Sequence, residues 1–299
     1  MMSALVLCTC LGLLAACGSE PRAPGASSAP AADTEAGGYR PVFTEADLDP
    51  SWEDGPATRI VFSGQEVRID GGGASAIEGG VKISRGGVYV LEGTCEDGRV
   101  VADVEPGEAL KIVLNGVSLA CSTSAPLYIA NGDAVIVLPA DTQNVLADAA
   151  VYHYASEAVK EPNACVYGDD NLSIVGPGAL TVEANFNNGI GSKDELRIAS
   201  GTITVRAVNN ALKGNDCVLI RDAVLSLESK GDGIKSDENK TAGHGVIEIS
   251  GSRVEIRAAD DALQAESRVT IPDGSLRIDA RGKKVNCNGV VAIATGVLG

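Results

Sequence analysis

Short apolar runs separated by polar breaks extend from about Ile60 to the end of the chain. Typical runs are VYVLEG, LKIVLNGV and VIVL, with Gly, Asn or Asp at their boundaries. Alternation with a period of two residues between turn-forming residues is typical of short β-strands. The pattern therefore predicts an all-β fold.

The same arrangement of apolar positions recurs along the chain. Segments that begin at Asn187, Asn209, Gly231 and Asp260 share it. Their equivalent residues are 22 positions apart, except for one step of 29 that contains the insertion DENKTAGHG. An internal period of this length indicates a solenoid of stacked repeats, roughly nine or ten in the patterned region.

Each repeat contains three apolar elements. A single apolar position comes first, and two short strands follow whose starts are five residues apart, as at Ile198 and Ile203. Three elements describe a coil with three sides, in which inward side chains stack on those of the next coil. We therefore predict a parallel β-helix as a single domain over residues 57–299. A leucine-rich repeat has a similar period, but the sequence lacks its LxxLxLxxN signature.

The first 56 residues differ in composition from the rest. Residues 1–17 form an apolar stretch that is too short to span a bilayer and resembles a secretory signal. Its last residues, LAAC, resemble a bacterial lipobox. This predicts lipidation of Cys17 and a lipoprotein of the bacterial cell envelope or surface, in the outer membrane if the bacterium is Gram-negative. Residues 18–56 are rich in Pro, Ala, Gly and Ser, which predicts a flexible tether.

Charge and cysteine content narrow the function. The net charge is −16 and no cluster of Lys and Arg is present, so nucleic acid is not an expected partner. Beyond Cys17, five cysteines without a CxxC pair argue against a zinc or redox motif. They are Cys95, Cys121, Cys165, Cys217 and Cys287. We expect them to fill the interior, with Cys95 and Cys121 as the first candidate pair for a disulfide.

Several motifs resemble a known family. LKIVLNGVSLACSTSAPLYI, NNALKGNDCVLI and GDGIKSDE follow one another as in bacterial carbohydrate-binding proteins with a pectate-lyase-like, calcium-containing β-helix. The resemblance extends from about Val81 to Ala280. It implies a right-handed β-helix and a role on extracellular polysaccharide. The sequence departs from the family in having Asn188 and Asn210 where the family has Asp.

Alignment of the repeats places polar residues in two columns. The first contains Asn188, Asn210, Asp232 and Asp261, and the second contains Asp170, Asp194, Asp216 and Glu238, with Asp237 and Glu266 one place away. Stacked strands lie about 4.8 Å apart, and a Ca²⁺ ion with ligands at about 2.3–2.6 Å on opposite sides spans that distance. We predict calcium here. The candidate ligands are Asp170, Asn188, Asp194, Asn210, Asp216, Asp232, Asp237 and Asp261.

The acidic columns also fit two interpretations without a metal ion. The acids can form ion pairs with Lys193, Lys213 and Lys235, which would contribute little at a surface. Asn-Gly and Asp-Gly pairs can also simply form the turns between strands.

Three aromatic residues are candidate sugar contacts, because a ring face can cover a pyranose face. They are Tyr152, Tyr154 and Phe186, and their alternative role is to seal the side of the solenoid. Lys213 and Lys235 are further candidate ligand contacts. They are also the only candidates for the base of a lyase reaction, although neither lies in a motif typical of a catalytic base.

These observations favour a lipid-anchored, calcium-dependent monomer that binds polysaccharide without turning it over. An acidic, uronate-containing or plant-type polysaccharide is the expected ligand, and the bilayer is contacted only through the anchor. A polysaccharide lyase is the first alternative. A structural surface solenoid or adhesin is the second.

Overall fold

The computed structural model describes residues 38–156 and 158–299. The predicted signal peptide 1–17 with Cys17, and residues 18–37 of the predicted tether, lie outside the described residues. The described part contains one four-residue helix and 27 strands, which confirms the all-β prediction. No helix in it is long and apolar enough to cross a membrane.

Helix α1 spans Glu45–Leu48. The strands are β1 (Ala57–Ser63), β2 (Glu66–Asp70), β3 (Ala74–Ile77), β4 (Gly80–Ile83), β5 (Gly87–Cys95), β6 (Arg99–Asp103), β7 (Leu110–Ala120), β8 (Leu127–Asn131), β9 (Ala134–Val137), β10 (Gln143–Ala147), β11 (Ala164–Gly168), β12 (Leu172–Val175), β13 (Ala179–Ala184), β14 (Asn188–Ser192), β15 (Glu195–Ile198), β16 (Gly201–Ala207), β17 (Leu212–Gly214), β18 (Cys217–Arg221), β19 (Ala223–Ser229), β20 (Ile234–Ser236), β21 (Val246–Ser250), β22 (Arg253–Ala258), β23 (Leu263–Ala265), β24 (Arg268–Ile271), β25 (Ser275–Ala280), β26 (Val285–Cys287) and β27 (Val290–Ile293).

Parallel pairing joins the strands into three ladders. Ladder A runs through β5, β7, β9, β12, β15, β18, β21, β24 and β27. Ladder B runs through β1, β5, β7, β10, β13, β16, β19, β22 and β25. Ladder C runs through β4, β6, β8, β11, β14, β17, β20, β23 and β26. The long strands β5 and β7 contribute to both A and B.

The register of the ladders reproduces the sequence period. Leu196 pairs with Val218, 22 residues later, and Ile220 pairs with Ile249, 29 residues later. The insertion therefore forms the connection between β20 and β21 and leaves the pairing intact. Among the described strands, only β1 with β2 and β3 with β4 pair antiparallel, at the N-terminal end of the stack.

Inward side chains of the three ladders meet in one hydrophobic cluster. The columns Ile190–Leu212–Ile234–Leu263, Ile198–Ile220–Ile249–Ile271 and Ile203–Leu225–Val254–Leu276 are all at most 2% exposed. Each side chain thus packs on its equivalent in the neighbouring repeats and on the other two ladders. This continuous apolar contact is the main stabilising term, because burial of apolar area scales with the number of stacked repeats.

Residues 38–56 differ from the flexible tether predicted for residues 18–56. Phe43 and Trp52 pack against an outer cluster that includes Val90, Val113 and Val137 of ladder A. The composition of the segment did not indicate that these two aromatic residues pack on the outer face of ladder A.

A buried ion pair fixes the same segment. Thr44 caps α1, and Asp47 accepts a hydrogen bond of 2.6 Å from the Ser173 hydroxyl. The Arg197 Nε atom lies 3.6 Å from Asp47 Oδ2, and Arg197 also contacts Glu195. Since Asp47 is only 5% exposed, its charge requires this cation.

Most of the cysteines are buried, as the sequence predicted. Cys95, Cys121, Cys165 and Cys217 are buried free thiols, and Cys287 is a half-buried one. The suggested disulfide between Cys95 and Cys121 was wrong. Wide sequence spacing says nothing about the geometry that a disulfide requires.

We expect Ile220→Ala to lower the free energy of unfolding by about 2–5 kcal/mol, because it leaves a cavity in the central column. Val224→Ala, in the adjacent strand but 49% exposed, should change it by less than about 0.5 kcal/mol. Urea denaturation of both variants measures the difference. Equal losses would contradict the inward and outward assignment.

Candidate functional site

The first predicted polar column is a hydrogen-bonded ladder at the edge of ladder C. The Asn210 amide donates to Asn188 Oδ1 at 2.9 Å, and Asn210 Oδ1 accepts from the Asp232 backbone N–H at 2.9 Å. Asp232 Oδ1 accepts from the Asp261 N–H at 3.1 Å, and Asp261 Oδ1 from the Lys283 N–H at 2.6 Å. The column therefore satisfies its own backbone, which gives it a structural role whether or not it binds an ion.

An acid cluster forms where this column becomes anionic. Carboxylate oxygens of Asp232, Asp260 and Asp261 lie within 4.8 Å of one another. It is the only such group of three among the described residues. Three carboxylates this close repel one another and favour a shared cation.

Two glycines leave space beside the acid cluster. A Cβ at Gly231 would lie 2.5 Å from Asn209 Oδ1 and 3.0 Å from Asn210 Oδ1, and a Cβ at Gly282 would lie 2.5 Å from Asp261 Oδ1. Side-chain oxygens of the preceding repeat therefore lie close to each glycine. Carboxylate and amide oxygens are the ligands that Ca²⁺ prefers, so the residues present fit this ion.

Lys213 and Lys235 lie one above the other in the register of ladder C. Lys213 Nζ is 3.2 Å from Asp237 Oδ1, while Lys235 Nζ is 3.0 Å from Asp232 Oδ2 and 3.9 Å from Asp237 Oδ2. Asp237 therefore separates the two ammonium groups and neutralises part of their charge. This arrangement matches the ion-pair interpretation of these lysines. Asp237, which was predicted as a calcium ligand, pairs with both of them.

The second predicted column is aligned, but its side chains diverge. The Asp216 N–H donates to the Asp194 carbonyl at 3.0 Å, so the two repeats stack there. Asp170 Oδ2 instead accepts from Gly132 N–H at 2.7 Å, and Asp216 Oδ1 lies 3.0 Å from His244 Nδ1. Burial, and then the nearby Asp216 and Asp170 carboxylates, raise the pKa of Asp194. These three acids share a surface without forming a compact ligand set.

The predicted aromatic contacts mainly cover one another. The Tyr152 and Phe186 rings stack with centroids 4.1 Å apart, and Tyr154 meets both edge-on. Tyr152 is 6% exposed, and its hydroxyl donates to Asp148 at 2.6 Å. A buried ring has no free face for a sugar. Tyr152 therefore seals the side of the solenoid, and its prediction as a sugar contact was wrong. Tyr154 and Phe186 are half-buried at the surface.

A second group of aromatic and acidic residues was not predicted. Tyr128 and Tyr167 lie in register on β8 and β11, with ring centroids 6.0 Å apart. The Tyr128 hydroxyl donates to Asp169 Oδ2 at 3.1 Å, and the Tyr167 hydroxyl to Glu161 Oε1 at 3.2 Å. Asp169 Oδ1 is buried without a hydrogen-bond partner among the described residues. Burial, and then the Glu161 charge, raise the pKa of Asp169 to about 6.

Sequence reasoning missed Asp169 and Asp260 for the same reason. Each is the first of a pair of acids, Asp169-Asp170 and Asp260-Asp261, and only the second member was assigned to a column. The paired acids were a usable signal, because Asp260-Asp261 occupies the position of the Asn pairs at 187–188 and 209–210, and Asp169-Asp170 aligns with Lys193-Asp194. Which member faces its neighbours depends on the turn, which the sequence does not specify.

Comparison with known proteins gives consistent matches. A model of the family described as carbohydrate-binding domain-containing protein matches residues 77–295. A carbohydrate-binding domain-containing protein of Acetivibrio thermocellus is 40% identical over 243 residues, covering 81% of this chain and 85% of the relative. A solved structure of the polysaccharide lyase-like protein from C. thermocellum, a gadolinium derivative, has a TM-score of 0.80 at 38% identity. It covers 82% of this chain and 99% of that chain.

We expect Asn210→Ala to destabilise the protein by about 2 kcal/mol, because it leaves the buried Asp232 N–H without an acceptor. Asn209→Ala is the matched control. Within the described residues, the half-buried Asn209 side chain donates one hydrogen bond, to Asn187 Oδ1 at 2.7 Å, so the loss of stability should be less than about 1 kcal/mol. Urea denaturation in calcium-free buffer compares them. A smaller effect for Asn210→Ala than for Asn209→Ala would argue against the self-satisfied ladder.

The raised pKa of Asp169 predicts a pH dependence of stability. Its pKa is about 6 in the fold and 3.8 without the fold's influence, so the folded state binds a proton that the unfolded state lacks between these values. Above pH 6 the Asp169 carboxyl is charged in the folded state, and this lowers the free energy of unfolding. As the pH falls from about 6 towards 3.8, the carboxyl is protonated and the free energy of unfolding rises again. The full shift equals about 3 kcal/mol, and solvent screening of the partly open carboxyl reduces it to about 1 kcal/mol.

The variant Asp169→Asn should therefore be about 1 kcal/mol more stable than the parent protein at pH 7.5 and should lose that advantage near pH 4.5. Urea denaturation at both pH values measures this difference. Asp279→Asn, at an exposed position, controls for the loss of one negative charge. An advantage of Asp169→Asn that is independent of pH would refute the assignment.

Proposed function

The chain belongs to the family of carbohydrate-binding domain-containing proteins, and on this premise we propose that it binds an extracellular polysaccharide through calcium without turning it over. The family match over residues 77–295 supports the ligand class. The cluster of Asp232, Asp260 and Asp261 carries the calcium part of the proposal. We favour an acidic, uronate-containing or plant-type polymer, because a divalent cation can link its carboxylates to this acidic surface.

We also propose that the ladders wind as a right-handed parallel β-helix. Parallel pairing in all three ladders supports this, as does the similarity to the polysaccharide lyase-like protein. Connections between parallel strands of one sheet are right-handed in about 98% of cases.

Asp232, Asp260 and Asp261 would hold the ion. The ion would offset the repulsion among three carboxylates and, as Ca²⁺ takes 6–8 oxygen ligands, accept oxygens from a sugar. The solved relative is a gadolinium derivative, and gadolinium is likewise a hard cation that binds oxygen. The other predicted ligands lie outside the acid cluster and are weaker candidates. They are Asp170, Asn188, Asp194, Asn210, Asp216 and Asp237.

The location stays the one proposed from the sequence. Lipidation at Cys17 would attach a monomer to the cell envelope, with the bilayer contacted only through this anchor and the solenoid exposed to polymer.

A polysaccharide lyase is the second candidate function. The solved relative is named polysaccharide lyase-like, which is the observation in its favour. The ion pairs of Lys213 with Asp237 and of Lys235 with Asp232 argue against a role as bases, because both ammonium groups are already engaged by carboxylates of the chain. A growing ultraviolet absorbance from unsaturated uronate would favour the lyase.

We expect Ca²⁺ to stabilise the protein and to strengthen its retention on immobilised polygalacturonate. With a Kd of about 0.1–1 mM, as in extracellular calcium modules, about 10 mM Ca²⁺ would add about 1.4–2.7 kcal/mol. Asp260→Asn should lose most of this gain, because its exposed carboxylate belongs to the cluster and forms no hydrogen bond or ion pair within the described residues. Thermal melting and affinity retention, each with and without chelator, measure the two effects.

Asp279→Asn is the matched control, with one exposed carboxylate removed from a different part of the solenoid. It should respond to Ca²⁺ like the parent protein. A melting temperature indifferent to Ca²⁺ would refute the calcium site. Lack of retention on every polysaccharide tested, with calcium present, would refute sugar binding and favour a structural solenoid or adhesin.

A further inference from the structure

A small pocket opens beside strands β6 and β8, away from the acid cluster. Its volume is about 250 Å³, below the roughly 300–1,000 Å³ of pockets for drug-sized ligands. The lining side chains that carry chemistry are Arg99, Ser124, Tyr128, His153, Tyr154 and Glu161. The size and the mixture of aromatic and polar groups suit a sugar ring.

Arg99 is the unusual member of this pocket. It is half-buried and forms no ion pair or side-chain hydrogen bond with any residue that the structure describes. The neighbouring basic residues differ in this respect. Lys82 is 2.8 Å from Asp103, and Lys193 is 3.3 Å from Glu161. A guanidinium without an ion pair is unexpected in a chain with a net charge of −16. It can bind a carboxylate through two parallel hydrogen bonds.

The other groups in the pocket are arranged for the remainder of a sugar. The Ser124 side chain is 7% exposed and has no hydrogen bond within the described part of the chain, so its hydroxyl is free to bind. The Tyr128 hydroxyl is held by Asp169, which fixes the ring at the pocket wall. Glu161 is held by Tyr167 and Lys193 and supplies an acceptor for sugar hydroxyls.

The pocket lies on the same edge of the solenoid as the acid cluster. Through the register of ladder C, Arg99 aligns with Gly233, the residue after Asp232. Strand β20 is five strands beyond β6, which at about 4.8 Å per strand is about 24 Å. An extended polymer along this edge can therefore contact both places.

We propose that the pocket at Arg99 is a uronate subsite, in which the guanidinium binds the sugar carboxylate directly and without calcium. This inference rests on the proposed function and gives it a second contact point of different chemistry. The acid cluster reaches a uronate only through a cation, whereas Arg99 pairs with it directly. Hydroxyls of the same sugar ring are bound by Ser124 and Glu161, and its apolar face contacts Tyr128.

The test uses the full chain and a trimer of galacturonic acid, measured by calorimetry in chelator so that only the direct contact reports. We expect Arg99→Gln to weaken binding about tenfold or more, because the variant removes a hydrogen bond between two charged groups. Arg99→Lys should recover only part of it, because an ammonium lacks the planar fork. Arg277→Gln, at an exposed arginine of β25, should bind like the parent protein.

Ser124→Ala provides a second variant whose fold is not at risk, and it should weaken binding about three- to tenfold through the loss of one hydrogen bond. If Arg99→Gln and Ser124→Ala both bind the trimer like the parent protein, the subsite is refuted. If Arg99→Gln weakens the binding of a neutral galactose trimer as much as that of the galacturonic acid trimer, carboxylate recognition is refuted. If calcium-dependent retention on polygalacturonate persists while both variants bind the trimer like the parent protein, the subsite is refuted and the proposed function is left intact. Absence of binding to any polymer would overturn both.

Discussion

In-register pairing of parallel strands is the constraint on which the rest of this structure depends. Because neighbouring strands lie about 4.8 Å apart, each side chain meets the equivalent side chain of the next repeat. For apolar residues this is favourable at every step, as in the buried column Ile190–Leu212–Ile234. For polar residues it requires a donor to face an acceptor, and for charges it requires an opposite charge between them.

The choice of asparagine or aspartate in the first polar column follows from this requirement. An amide both donates and accepts, so Asn188 and Asn210 can bond to each other. A carboxylate only accepts, so Asp232 and Asp261 rely on backbone N–H groups and on Lys235. The column is therefore neutral in one part and anionic in the next, and the anionic part is where Asp260 adds a third carboxylate.

The two contacts that we propose for an anionic sugar lie along one edge of the solenoid. One is a set of acids that can reach a carboxylate through a cation, and the other is an arginine that can reach it directly. Their separation arises from stacking alone, since each repeat moves the equivalent position by one strand spacing. A solenoid thus suits a long ligand, because its surface is extended and its chemistry can change from repeat to repeat.

The sequence by itself determined the all-β class, the repeat and its register, because the apolar periodicity is a local property and is present in each repeat. It also determined which of Asn188, Asn210, Asp232 and Asp261 share a column. Only the tertiary structure decided that Asp260 completes the acid cluster, that Tyr152 is buried, and that residues 38–56 dock on the wall. These depend on the direction of side chains at turns and on contacts between elements outside the repeat, where no period constrains the answer. The Arg99 pocket also follows only from the tertiary structure, because its lining comes from β6, from β8 with the residues just before it, and from the loop between β10 and β11.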